Sequence, residues 1–69
     1  MNKKIKLLKE RFAYVCVVFA LTNPELRSAW EHNFGYREGI RFALVTMGVP
    51  DYEISEIQEK AEFIVTHPV

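Results

Sequence analysis

The sequence predicts an all-α fold, a small three-helix bundle that forms one domain over residues 1–69 and self-associates. Apolar residues recur at intervals of three and four in three successive segments, the spacing that places side chains on one face of a helix. The segments are separated by residues that end and begin helices, Asn23–Glu25 and Gly48–Asp51. The chain contains no internal repeat and no linker, so the three helices are expected to share one core.

The first helix is expected from Lys3 to about Thr22. Six apolar residues fall on its core-facing side: Ile5, Leu8, Phe12, Val15, Cys16 and Phe19. The run Phe12–Leu21 is also rich in aromatic and β-branched residues, which suit a strand. The length of the whole segment and its clear helical face favour the helix.

A second apolar row follows the opposite side of this helix and consists of Leu7, Tyr14, Val18 and Leu21. A bundle of three helices buries one face of each helix and leaves this second row uncovered. We therefore expect the row to be an oligomer interface. A chain of 69 residues buries only about 60% of its unfolded surface, so association would also stabilise it.

The second helix is expected from Pro24 to Met47, with Asn23 as its N-cap and Pro24 at its first position. Its core-facing residues are Leu26, Ala29, Trp30, Ile40, Leu44 and Met47. Gly35 and Gly39 each weaken a helix by about 1 kcal/mol relative to alanine, so the helix is either continuous or broken near Gly35. With Ala43 they also form a small-residue series that would allow another helix to approach closely.

The third helix is expected from Asp51 to about Thr66. Gly48 can end the preceding helix in the left-handed conformation, Pro50 prevents its continuation, and Asp51 is the expected N-cap. One apolar stripe consists of Ile54, Ile57, Ala61, Ile64 and Val65, and acidic residues cover much of the remaining surface.

The second helix also carries a stripe of alternating arginine and aromatic residues at spacings of three and four: Arg27, Trp30, Phe34, Arg37 and Arg41. Such residues bind protein partners as interface hot spots, or bind planar and anionic ligands such as nucleotides and nucleic acids. The stripe can equally border the core, with the arginine stems packed beside a buried Trp30. All three interpretations remain open at this stage.

Composition and motif content argue against catalysis. Cys16 is the only cysteine, which excludes an internal disulfide and a multi-cysteine zinc site, and the two histidines have no metal-ligand spacing. No Ser-His-Asp set or glycine-rich phosphate loop is present. We expect neither an enzyme nor a cofactor or metal site.

Charge is balanced overall but not along the chain. Residues 1–22 contain five basic residues and one acidic residue, whereas residues 51–69 contain five acidic residues and one basic residue. The basic cluster makes nucleic-acid binding an alternative, which the acidic third helix opposes. A basic start before Phe12–Leu21 has the outline of a secretory signal, but its cleavage site is poor and ten residues do not span a bilayer. We expect a cytoplasmic protein without membrane association.

The stretch Gly35–Val49, which reads GYREGIRFALVTMGV, resembles a helical segment of short uncharacterised phage and prophage proteins. The resemblance implies a mobile-element protein that inhibits or sequesters a component of its host, in the host cytoplasm. It supplies no site residues. The overall expectation is a non-enzymatic, phage-like, self-associating helical protein that binds a protein partner. The alternatives are nucleotide or nucleic-acid binding through the arginine–aromatic stripe, and a purely structural oligomeric subunit.

Overall fold

The computed structural model describes residues 2–67 and consists of three helices, α1 (Lys3–Leu21), α2 (Arg27–Thr46) and α3 (Asp51–Thr66). The all-α prediction is confirmed. Within residues 2–67 there is no strand, so the alternative of a strand over Phe12–Leu21 is wrong. The apolar side chains of this run pack at helical spacing rather than on alternate faces.

Both ends of α1 are defined by side-chain hydrogen bonds. At the start, the Lys4 N–H donates to Asn2 Oδ1 at 2.8 Å, which makes Asn2 the N-cap. At the end, the backbone becomes extended at Thr22, whose hydroxyl donates to the Val18 carbonyl at 2.7 Å. Asn33 Nδ2 donates to the same hydroxyl oxygen at 2.9 Å and thereby ties the end of α1 to α2.

The second helix begins at Arg27, three residues later than predicted. Asn23 does not cap it: Asn23 Oδ1 accepts from the Glu25 N–H at 2.9 Å and forms a turn with Pro24. Leu26 occupies the N-cap position without a side-chain hydrogen bond. Asparagine followed by proline suits a turn as well as a helix start, and here the local Asn–Glu bond selects the turn.

Helix α2 is continuous through both of its internal glycines, so the predicted alternative of a break near Gly35 is wrong. Gly35 and Gly39 lie on the outer side of the helix. A Cβ atom built at either position has no neighbour within 4 Å, beyond the helix's own backbone. Neither glycine is required by packing or by backbone conformation within the chain.

The connection from α2 to α3 follows the prediction at Gly48 but not at Asp51. Gly48 has a φ of +89°, and its N–H donates to the Val45 carbonyl. The Val49 N–H donates to the Leu44 carbonyl at 3.0 Å, completing a Schellman motif in which both side chains are buried. The N-cap of α3 is Pro50 rather than Asp51, because Asp51 is already helical and makes no capping bond. Asp51 instead stabilises the positive end of the helix through its charge.

Helix α1 lies between the other two helices and packs along both, whereas α2 and α3 make little contact with each other. The molecule is flat, with principal extents of 38 × 29 × 18 Å. The buried core consists of Phe12, Val15, Cys16, Ile40, Leu44, Val49, Ile54 and Ala61. Three residues predicted to face the core are exposed: Leu26, Ala29 and Ile64. Leu26 precedes the helix, and Ile64 borders an open groove between α1 and α3.

Candidate protein-binding face

Three members of the arginine–aromatic stripe form a stack with α1. The Trp30 and Phe34 rings are parallel to within 10°, with centroids 5.5 Å apart. Phe19 packs against both, at 5.2 Å from Trp30 and 5.9 Å from Phe34. Arg37 Cζ lies 4.6 Å from the Phe19 centroid and 5.4 Å from the Phe34 centroid, in the geometry of a cation–π contact. These contacts hold α2 against the C-terminal part of α1.

The arginines of the stripe are paired with acidic residues. Arg37, with a side chain only 12% exposed, donates from Nε to Glu38 Oε2 at 3.0 Å. Arg27 is 86% exposed and pairs with Glu31 one turn later. Neighbouring carboxylates lower the positive potential that would attract an anionic ligand.

Arg41 connects α2 to α3. Its Nη1 donates to Gln58 Oε1 at 3.4 Å, and its Nη2 lies 3.9 Å from Asp51 Oδ1. Gln58 in turn donates to Glu62. The five stripe residues therefore do not form one open surface: Arg27 is exposed beside Trp30, the middle three stack on α1, and Arg41 bridges to α3.

Cys16 is buried beneath this region, with 1% of its surface exposed. Burial raises the pKa of its thiol from 9.0 to about 11, a rise that nearby Arg37 opposes and Glu62 reinforces. The thiol is therefore neutral near pH 7 and acts as a small apolar side chain. Among residues 2–67, no three side chains of the histidine, cysteine, aspartate or glutamate types come together in a group that could hold a metal ion.

The second apolar row of α1, here called the outer row, is largely exposed. Leu7, Tyr14 and Leu21 are 63%, 67% and 68% exposed. Val18, the fourth predicted member, is half-buried. The chain's own helices thus leave three of the four side chains open to water.

An open groove of about 560 Å³, here the α1–α3 groove, runs beside the outer row. Its surface is mostly apolar and comes from Ala13, Tyr14, Val17, Ile57, Ala61 and Ile64, with Lys9, Glu10 and Lys60 at its edges. Lys9 Nζ bonds Glu53 Oε2 at 3.0 Å and links the two helices next to the groove. Tyr14 belongs to both the outer row and the groove, so the two form one face.

Sequence reasoning did not predict this groove. Its signal in the sequence is a pair of alanines, Ala13 and Ala61, at positions where α1 and α3 meet. Small side chains there leave space between the helices, but recognising the groove requires the relative rotation of the two helices. Ile64 was predicted to face the core, but it is exposed and borders the groove.

On the other side of the outer row lies a smaller depression of about 220 Å³ between α1 and α2. Val18 and Tyr36 contribute to it, and Arg11 Nη1 donates to the Tyr36 hydroxyl at 3.2 Å. This hydrogen bond turns the Arg11 side chain toward α2. The outer row is consequently an apolar ridge with a depression on each side.

Comparisons of the chain with protein-family models, with curated proteins and with solved structures give no match. In the part of the chain that the structure describes, no helix has both the length and the hydropathy needed to cross a bilayer.

Proposed function

We propose that this chain is a non-enzymatic binding protein whose outer row and α1–α3 groove are covered by another protein chain. The observation that carries the proposal is the exposure of Leu7, Tyr14 and Leu21 beside an apolar groove of about 560 Å³. Contiguous exposed apolar surface is typical of protein interaction sites. Tyrosine and leucine lose water contact on association, which provides the main driving force.

The character of the face favours a protein over a nucleotide or a nucleic acid. The groove has an apolar floor, and its two lysines are accompanied by Glu10 at the edge and by Glu53, which pairs with Lys9. The arginines of the stripe on α2 are paired with carboxylates, and the formal net charge of the chain is zero. Phosphate binding depends on unpaired positive charge, which neither the groove nor the stripe concentrates.

A binding protein without a reaction acts by occupying or sequestering its partner. The resemblance of Gly35–Val49 to segments of phage and prophage proteins supports a role of this kind against a host component in the host cytoplasm. A purely structural subunit would use the same face but would bind only copies of itself. Copies of this chain alone on the face would indicate the structural role, and a host protein captured in addition would indicate sequestration.

Site-specific photocrosslinking in the host cell tests the proposal. A photoreactive phenylalanine replaces Tyr14 or Ile64 on the face in one set of variants, and exposed Ser28 on the outer side of α2 in the control. We expect irradiation to yield covalent adducts with a protein chain from the two face positions and few or none from the control. Equal yields from face and control positions would contradict the proposal.

A further inference from the structure

We infer that the chain covering the outer row is a second copy of this protein, crossing antiparallel about a two-fold axis next to Tyr14. The inference rests on the proposed function, because it names the partner of the same face. It is supported by the symmetry of the outer row, by the distribution of charge along α1, and by the shape of the molecule.

The three exposed members of the outer row are placed symmetrically about Tyr14. Leu7 and Leu21 each lie seven residues from Tyr14, so the row spans about 21 Å of helix with a leucine at either end. A two-fold axis at Tyr14 places Leu7 of one copy beside Leu21 of the other, which is the self-complementarity that a symmetric dimer requires. Val18, the fourth member, is half-buried and lies outside this symmetry, because the same axis relates it to Glu10.

Charge along α1 favours the antiparallel orientation over the parallel one. The first turn carries Lys3, Lys4 and Lys6 and no acidic residue, which opposes the positive end of the helix's own dipole. The last turn of α1 contains no basic residue, and exposed Glu25 follows it. An antiparallel copy brings the lysines of one chain to the negative helix end of the other. A parallel copy would place the two lysine clusters together.

The flat shape of the molecule provides enough surface for a stable dimer. The two larger extents of the molecule are 38 and 29 Å, whereas a standard interface needs about 800 Å² from each partner. The α1–α3 groove and the depression beside α2 lie on the two sides of the row. They can accept side chains of the second copy, as ridges of one helix pack into grooves of another.

Disulfide mapping tests both the partner and its orientation. Leu7→Cys and Leu21→Cys are prepared separately, and Ser28→Cys is the control; all three positions are exposed, and native Cys16 is buried and remains in place. Circular dichroism verifies that each variant keeps the helical content of the unmodified chain. Each variant is oxidised alone, and the first two are also oxidised as an equimolar mixture.

We expect the mixture to shift from the 8.1 kDa chain to a disulfide-linked species of twice that mass, joining residue 7 of one copy to residue 21 of the other. Yields from each variant alone should stay near the control. Preferential linkage of residue 7 to residue 7 would overturn the antiparallel arrangement, and no linkage above the control would overturn the second copy as partner. If the photocrosslinks then identify a different protein at Tyr14, the proposed function stands while this inference fails.

Discussion

Replacing Gly35 and Gly39 with alanine should stabilise the protein, because both glycines lie inside a continuous helix. Neither has a positive φ, and a Cβ atom at either position meets no atom within 4 Å outside the helix's own backbone. Each substitution removes the excess backbone entropy that glycine has in the unfolded chain, which is worth about 1 kcal/mol. The two positions share no packing partner, so the double variant should gain about 2 kcal/mol.

For a domain of this size, 1 kcal/mol moves the melting temperature by about 4–8 °C, so the double variant should melt about 8–16 °C higher. Thermal unfolding followed by circular dichroism measures the shift. All samples need the same chain concentration, because association adds to apparent stability. Gly48→Ala is the matched control. Because Gly48 has a φ of +89°, the same chemical change there should destabilise the protein by about 1 kcal/mol.

A double variant that melted at or below the temperature of the unmodified chain would contradict this prediction. That result would mean that α2 bends at its glycines or that their outer side is already packed against another chain. The two explanations differ in concentration dependence. A packed outer side would make the loss of stability grow with chain concentration, whereas a bend would not.

Three further changes test the core and the polar contacts. Because the pKa of the Cys16 thiol is about 11 in the folded chain and 9.0 in the unfolded chain, unfolding above pH 9.0 releases its proton. By pH 10.5 the free energy of unfolding of the unmodified chain, measured with urea, should therefore fall by about 2 kcal/mol relative to that of Cys16→Ala. An equal pH response of both chains would contradict the raised pKa. Arg37→Met should cost about 1 kcal/mol through the lost contact with two phenylalanine rings, whereas Arg27→Met, at an exposed ion pair, should change stability little. A double-mutant cycle between Lys9 and Glu53 should give a coupling of about 0.2–1 kcal/mol that decreases with salt.

Local sequence chemistry predicted the helices and most of their ends. Gly48 followed by Val49 and Pro50 specifies a helix end through conformational restrictions that act within a few residues. Asn23-Pro24 was misassigned because the same residues stabilise either a turn or a helix start. The choice depends on which N–H group the Asn23 side chain reaches, and in the structure it is that of Glu25.

The candidate face was predictable only in part. The outer row was identified from helical spacing, because a bundle of three helices buries one face of each helix and leaves an apolar row on the opposite face of α1 uncovered. The α1–α3 groove was not, since the exposure of Ile64 depends on how α3 is rotated against α1. The division of the arginine–aromatic stripe likewise depends on tertiary contacts: Phe19 of α1 covers its middle, and Gln58 of α3 engages Arg41.

Sedimentation equilibrium over a range of micromolar concentrations measures the mass of the chain in solution and so shows whether a second copy covers the outer row. We expect the unmodified chain to approach twice 8.1 kDa as its concentration rises. Tyr14→Glu, which puts a charge at the centre of the row, should remain at 8.1 kDa with unchanged helical content. A monomeric unmodified chain throughout, or a Tyr14→Glu variant that associates equally well, would contradict the covering of the outer row by a second copy.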